Sequence, residues 1–400
     1  MISVEEARNI ILRNLEALPP EKVYLEEALG RYLAEDIISD REIPPWDSSA
    51  MDGYAVHCAG VASEGISLRI AYEIPAGTLP HGPFGSDEAV KIMTGAPLPP
   101  GADAVVKRED TAERDTDVII NKVPKKLEHI RFKGEDIKTG DMILPRGSYL
   151  GPAQIGVLAS LRRILVPCHQ RPVVAILATG DEIADLDEEL SPEKIASSNS
   201  YTLTSLVRSI GALPRYLGIA RDNKQDLVNK LSMAKKADLI LTSGGVSMGD
   251  YDMVKEVMGL DENAMEFWKV EIKPGRPLAF GTIGSIPALG LPGYPVSTMT
   301  SFYQFARPAI LKLMGAQDLL LPRLLVKVAS PIKSKGDRPN YIRGLIMRKD
   351  SELIVEPTGP QGSGILTSMA RGNCFMVVPK GTTLVEEGEY ITCEVFQGTW

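Results

Sequence analysis

The sequence predicts a multidomain α/β and β protein. It has a central α/β domain on a mostly parallel sheet, a helical N-terminal domain split by an inserted β domain, and a C-terminal β domain. Three observations carry this. From Arg171 to Leu291, unalternating apolar runs such as Val173 to Ala178 take turns with helical patterns such as Leu203, Leu206, Val207 and Ile210. Strands apolar on both faces, joined by helical crossovers, make a parallel sheet covered on both sides. From Trp46 to about residue 139 no helical period survives, and short β-like runs are divided by turns. Beyond Leu319-Leu320-Leu321-Pro322, which reads as a linker, the chain is β-rich again. The expected domains are 1–45 with 140–170 (split helical), 46–139 (inserted β), 171–318 (α/β) and 319–400 (C-terminal β).

In chain order, Val4, Ala7, Ile11 and Leu15 fall on one helical face, ended by Leu18-Pro19-Pro20. Leu25, Leu29 and Leu33 predict a second helix, with Gly30 a weak spot. The insert's strands are Leu68 to Ile74, Ala89 to Met93, Ala104 to Lys107 and Val118 to Val123. Ile155, Leu158 and Ala159 mark a helix over Gly151 to Leu161. In the α/β domain, strands are predicted at Leu217 to Ala220, Asp238 to Thr242, Phe267 to Ile272, Leu278 to Gly281 and Ala288 to Leu291, with a helix marked by Leu227, Val228 and Leu231. A long helix starts at Pro295, a favourable first-turn proline, and Pro308 is expected to kink it. The final strands are Leu325 to Val328, Tyr341 to Met347, Leu353 to Val355, Phe375 to Val378 and Tyr390 to Val395.

A chain of 400 residues has room for roughly two to four domains. Net charge is −8, and no Lys/Arg cluster with interleaved aromatics occurs, which argues against a nucleic-acid or anionic-membrane surface. No apolar run reaches transmembrane length, and acids stand near the N-terminus where a signal peptide needs bases. Cys58, Cys168, Cys374 and Cys393 form no C-x-x-C pair and read as reduced thiols of a cytoplasmic protein. His57, His81, His129 and His169 lack zinc spacing, so neither a zinc site nor a Ser-His-Asp hydrolase is expected.

The stretch Ala237 to Asp252 runs from a strand through the glycine turn Ser243-Gly244-Gly245-Val246-Ser247-Met248-Gly249 to Asp250 and a helical run. Such a loop offers backbone N–H groups to an anion. Asp250 fits if a divalent cation arrives with a phosphate; the alternative is a helix N-cap. Two more strands end in acids, at Thr179-Gly180-Asp181-Glu182 and at Arg221-Asp222. Ligands of open parallel sheets bind beyond the strands' carboxyl ends, so three acids at one rim suggest a metal–phosphate site. Each acid alone reads as a cap or a solvated turn. Lys269 and Lys273, at an even separation on a strand, would face one way, toward an oxyanion or toward water. Arg276 follows in Pro274-Gly275-Arg276-Pro277. Asp52 and Thr94 sit in strings that physics alone reads as turns.

The strings D-S-S-A-M-D-G-Y-A, I-M-T-G-A-P-L-P-P-G-A-D-A-V-V, A-T-G-D-E-I, T-S-G-G-V-S-M-G-D-Y-D and I-K-P-G-R-P-L-A-F-G, in this order over residues 47–281, resemble the molybdopterin molybdenumtransferase family, which includes the gephyrin E-domain. The resemblance implies a molybdopterin-binding α/β domain and an elongated homodimer. It implies a reaction of adenylylated molybdopterin with molybdate that uses Mg²⁺ and yields molybdenum cofactor and AMP. It assigns Glu182, Asp222 and Asp250 to the metal and pterin-nucleotide site. Lys269 and Lys273 are then the basic partners, and Asp52 and Thr94 the insert's contribution. Asp250, Glu182, Lys273 and Asp52 are the expected catalytic groups. Gly244, Gly245, Ser247 and Arg276 are expected to bind substrate, as are Arg343 in Y-I-R-G and Ser363 in Q-G-S-G on shorter matches. One departure stands out: the family usually reads L-P-G-N-P-V-S, and here Tyr294 replaces the Asn that would cap the following helix. The alternatives are tungstate preference, a Mg²⁺-dependent nucleotide pyrophosphatase, and a scaffold.

Overall fold

A computed structural model describes residues 1–245 and 265–398. The chain divides into two compact units. The first comprises Met1–Ala34, Gly147–Gly151 and Val166–Trp400, and the second Glu35–Arg146 and Pro152–Leu165.

The second unit includes the residues read as an insert, and a six-stranded sheet is built from them. Its strands are β1 (Gly53–Val56), β2 (Ile66–Ile74), β3 (Glu88–Ile92), β4 (Ala104–Lys107), β5 (Thr111–Arg114) and β6 (Asp117–Ile120). Their spatial order is β4-β1-β3-β2-β6-β5. Both faces are covered: Tyr54 and Val56 join one apolar cluster and Ala55 the other, as period-two alternation requires. Gly53 admits no side chain, since a Cβ there would lie 2.0 Å from the Val106 carbonyl oxygen.

The first unit begins with α1 (Val4–Arg13). Ser3 caps it by accepting from the Glu6 N–H at 3.0 Å. Val4, Ala7 and Ile11 are fully buried, and each large apolar side chain so buried contributes about 1.5–3 kcal/mol. The second helix expected over Leu25 to Leu33 does not form. Only Leu25–Glu27 makes a 3₁₀ turn. Gly30 takes φ +76°, and Tyr32 and Leu33 pair instead with Tyr149 and Cys168 in isolated β-bridges. The segments flanking the insert thus hold α1, that turn and α2 (Pro152–Ser160), with the rest in short strands and turns.

The α/β sheet contains β7 (Val173–Thr179), β8 (Leu213–Ala220), β9 (Leu239–Ser243), β10 (Met265–Trp268), β11 (Ala279–Ile283) and β12 (Ile286–Leu291), ordered β8-β7-β9-β12-β11-β10. The first four in that order run parallel, and β11 and β10 complete the sheet antiparallel. Val174 and Ile176 point into a core with α1, while Ala175 and Leu177 point into another with Leu227 and Leu231 of α4 (Lys224–Ser232). This two-sided burial is why β7 reads as continuously apolar. The helix α3 (Ser198–Ser209) connects β7 to β8.

The long helix after Pro295 is α5 (Pro295–Ser301), a π turn (Phe302–Ala306) and α6 (Arg307–Leu313). The disruption expected at Pro308 takes the form of that π turn: the Arg307 N–H bonds back to the Phe302 carbonyl, just before the residue that has no N–H. Finally β13 (Arg323–Val328), β14 (Asn340–Lys349), β15 (Glu352–Pro357), β16 (Cys374–Val378) and β17 (Tyr390–Val395) close a barrel in the order β13-β15-β14-β16-β17.

Candidate active site

A cleft of about 620 Å³ opens at the carboxyl ends of β7, β8, β9 and β12. That is where an open α/β sheet binds its ligands. Its lining includes Thr179, Glu182, Asp222, Gly244, Gly245 and Tyr294.

β7 delivers the first acid. Its last residue, Thr179, leads to Gly180 at φ +138°, whose N–H donates to the Ala220 carbonyl at 3.1 Å. The exposed Glu182 folds back over this glycine, so that a Cβ on Gly180 would meet Glu182 Oε2 at 2.5 Å. β8 delivers the second. Asp222 and Asp181 hold each other: the Asp181 N–H donates to Asp222 Oδ2 at 3.3 Å, and the Asp222 N–H donates to Asp181 Oδ1 at 3.1 Å. This reciprocal pair joins the ends of two neighbouring strands. The expectation that Glu182 and Asp222 reach one rim is met, while the third acid, Asp250, lies outside the described residues together with Ser247. Among the described residues, no three His, Cys, Asp or Glu side chains come together as a metal cluster.

β9 delivers the glycine turn. Gly244 at φ +95° packs on the end of β7, where a Cβ would lie 2.8 Å from both the Thr179 carbonyl oxygen and Thr179 Oγ1. Only glycine fits both the angle and the approach. Its N–H is not free for an anion, because it donates to the Leu291 carbonyl at 3.1 Å. The expectation of bare N–H groups therefore fails at Gly244. Thr179 Oγ1 is buried at the cleft wall without a hydrogen bond among the described residues, an unmet polar group in a ligand-sized cavity.

β12 leads to Pro292-Gly293-Tyr294 and the start of α5. Tyr294 stands at the N-cap with no side-chain capping bond and is 66% exposed. The barrel supplies part of what it lacks: the Ser363 carbonyl accepts from the Val296 N–H at 3.0 Å. Ser363 thus reaches this rim through its backbone. Arg343 lies behind the same loop, 1% exposed. Its Nη2 donates to the Gly362 carbonyl at 3.1 Å, its Nε to Ser368 Oγ at 3.0 Å, and burial pushes its pKa down to about 10. Neither Arg343 nor Ser363 lines the cleft.

The basic groups need a correction. β10 ends at Trp268, and Lys269 turns the chain with φ +89°, so Lys269 and Lys273 do not share a strand face. The cause is the barrel's first long strand: the Lys273 N–H donates to Pro339 and its carbonyl accepts from Tyr341, drawing this segment off the sheet. Arg276 is exposed, its carbonyl accepting from the Val270 N–H at 3.1 Å. Of this stretch, Pro277 lines the cleft, and Lys269, Lys273 and Arg276 do not.

In the second unit, Asp52 and Thr94 are brought together. Asp52 Oδ1 accepts from both the Thr94 N–H and the Thr94 hydroxyl, each at 2.7 Å. These bonds, the backbone one first, hold the Asp52 carboxyl below its usual range.

Sequence reasoning passed over Asn199, which lines the cleft and bonds to Ser243 and Gly293. The only signal was S-S-N-S at a helix start, which reads as capping chemistry. It also passed over Asp185, two residues beyond the cleft-lining Ile183, which accepts from Tyr201 at 2.7 Å and Tyr216 at 2.8 Å.

Comparison with known proteins places this geometry. Residues 2–161 match the MoeA N-terminal region (domain I and II), residues 175–312 a probable molybdopterin binding domain, and residues 326–396 the MoeA C-terminal region (domain IV). The molybdopterin molybdenumtransferase of Haemophilus influenzae is 36% identical, with 99% of each chain covered. The protein of that name from Nostoc is 37% identical over 97% of this chain and 92% of its own. The chain belongs to the molybdopterin molybdenumtransferase family. It is an enzyme of molybdenum cofactor biosynthesis. A crystal structure of the molybdopterin biosynthesis moeA protein from Pyrococcus horikoshii, 29% identical, superposes with a TM-score of 0.85, covering 99% of this chain and all of the other. The multidomain architecture is that of this molybdenumtransferase family. The described cleft residues, from Ala178 to Ser297, fall within the match to the probable molybdopterin binding domain.

Proposed function

We propose that the enzyme inserts molybdate into adenylylated molybdopterin in a Mg²⁺-dependent reaction that releases AMP and forms molybdenum cofactor. The observation that carries this reading is the cleft itself. It has the volume of a nucleotide-sized ligand site and is lined by two carboxylates, Glu182 and Asp222, and by the glycine turns at Gly244 and Gly293.

The donor set fits magnesium. Glu182 and Asp222 offer carboxylate oxygens only, and Mg²⁺ takes one or two carboxylates from protein and the rest from phosphates and water. Glu182 and Asp222 Oδ1 would hold it, since Asp222 Oδ2 already accepts from Asp181, and Asp250 is the further acid the resemblance implies. Bound there, the ion would neutralise charge on the phosphoanhydride and on molybdate. The chain's own part is positioning. The glycine at 244 lets the end of β9 pack closely on Thr179 at the end of β7, which fixes this part of the cleft wall. Thr179 Oγ1 supplies an unmet donor at the wall, and Pro277, Pro292 and Pro295 give the cleft rigid edges. A homodimer is part of the same reading, as is a cytoplasmic location. Among the described residues, no helix is long and apolar enough to cross a membrane.

The test is AMP release from adenylylated molybdopterin, followed chromatographically with molybdate, with tungstate, and with neither, each with and without a chelator. Release that needs both molybdate and Mg²⁺ supports the reading. Equal release without an oxyanion identifies a nucleotide pyrophosphatase, and stronger release with tungstate changes the cargo. Asp222→Asn keeps the acceptor for the Asp181 N–H, so it should melt as wild type does while releasing AMP at least tenfold more slowly.

A further inference from the structure

Asn199 Nδ2 donates to Ser243 Oγ at 2.9 Å and to the Gly293 carbonyl at 2.7 Å. A carbonyl only accepts, so the Gly293 bond fixes which end of the amide is nitrogen. Both hydrogens of that nitrogen are thereby committed to two different turns. Ser243 ends β9, immediately before Gly244 and Gly245, and Gly293 precedes Tyr294 and α5. Across the gap the two turns lie near each other at their glycines: a Cβ on Gly293 would sit in ordinary contact, 3.7 Å from Gly244 Cα. Among the described residues, the Gly244 N–H donates to the Leu291 carbonyl, at the end of β12 rather than in the turn beyond it. The Pro292–Tyr294 turn is therefore tied to the Ser243–Gly245 turn by the Asn199 side chain.

We propose that Asn199 is a positioning residue of the cleft, fixing the spacing of these two turns and so setting affinity for the phosphate-bearing ligand. The inference rests on the substrate reading above. Its physical basis is preorganisation: a side chain that pins two turns before binding removes ordering that would otherwise oppose association. Neither aspartate nor serine does the same. Aspartate cannot donate to the Gly293 carbonyl at neutral pH, and serine has one donor on a shorter stem.

The test uses the full chain with AMP and Mg²⁺ in titration calorimetry at pH 5 and pH 8, for wild type, Asn199→Ala and Asn199→Asp. Loss of the clamp should weaken AMP binding by about tenfold in Asn199→Ala at both pH values. Asn199→Asp should lose at least as much at both pH values, because a carboxylate with an ordinary pKa of about 3.9 is ionised at each and cannot donate to the Gly293 carbonyl. If charge repulsion alone weakened Asn199→Asp, Asn199→Ala would keep wild-type affinity, and that result overturns the proposal. Amide hydrogen exchange provides an independent reading. It should quicken in Asn199→Ala over Ser243–Gly245 and Gly293–Ser297 while β7 is unchanged. If wild type itself binds no AMP, the substrate reading fails, and the exchange result alone decides for or against the clamp.

Discussion

Arg8 of α1 bonds twice to Gln304 of the π turn: Nη2 donates to Oε1 at 2.9 Å and Nε to the main-chain carbonyl at 3.2 Å. The second bond answers a vacancy created by sequence. In a regular helix the Gln304 carbonyl would accept from residue 308, which is proline and has no N–H. The network continues, with Gln304 Nε2 donating to Glu394 Oε2 at 2.6 Å and Arg323 Nη2 donating to Glu394 Oε1 at 2.8 Å. Arg8, Gln304 and Glu394 are all buried. Arg8→Ala should therefore cost about 3–5 kcal/mol in urea unfolding, since it strands a buried carbonyl and breaks a buried charged network. Arg8→Lys should recover less than half of that, because one ammonium cannot reproduce the two-point contact.

That helix also shows where sequence reasoning succeeds and stops. Pro295 and Pro308 were legible as a start and a disruption, because proline's effect is local. The π turn was not, because it depends on a partner from α1. The same division holds at the site. Glu182 and Asp222 could be read as rim residues because strand ends order themselves along a parallel sheet. Lys269 and Lys273 could not be placed, because backbone bonds to Pro339 and Tyr341 of the barrel decide that segment's path. The helix expected over Leu25 to Leu33 had the right apolar spacing, but pairing with Tyr149 and Cys168 outweighed it.

Tyr294→Asn tests the departure from the family's usual Asn. In the first turn of α5, Pro295 has no N–H and the Val296 N–H is already taken by Ser363, which leaves Ser297 as the donor for an Asn cap. The gain should therefore be at most about 0.5 kcal/mol, the low end of capping effects, read as a small rise in Tm. A fall in Tm would show that the Tyr294 ring, whose Cδ1 lies 3.8 Å from where a Gly364 Cβ would be, contributes packing instead.

Arg343→Ala should loosen the Gln361–Gly364 loop. The Gly362 carbonyl and Ser368 lose their donor, and a buried side chain leaves a cavity. A loss of about 2–4 kcal/mol in denaturant unfolding is expected. Faster proteolysis at the loop should accompany it. A variant as stable as wild type would show that Arg343 does not brace the loop.

Acid should weaken the second unit through carboxylates that the fold holds ionised. Asp52 is held low by the Thr94 N–H and then its hydroxyl, and Glu113 by the Tyr54 hydroxyl and then Lys91. A depressed folded pKa contributes stability that is complete above the unfolded value, about 3.9 for Asp and 4.3 for Glu, and is lost as pH falls through the folded value. The double variant Asp52→Asn/Glu113→Gln should be less stable than wild type at pH 7. It should also lose less between pH 5 and pH 3, measured by urea unfolding at each pH. Parallel loss in both proteins would assign acid sensitivity to other groups.

The apolar stripe of α1 has a consequence for how the chain is made. Val4, Ala7 and Ile11 share one core with Phe302, Phe305, Ala309 and Ile310. On a ribosome those partners emerge roughly 300 residues later, about 15–60 s at 5–20 residues per second. A ten-residue helix is marginal on its own, so throughout that interval this stripe stays uncovered. The second unit meets no such delay, since every one of its residues has been synthesised by Leu165. Elongation thus imposes an order of assembly. The sheet of the second unit can close early, whereas α1 remains the segment most open to chaperone capture until the α/β core arrives to cover it.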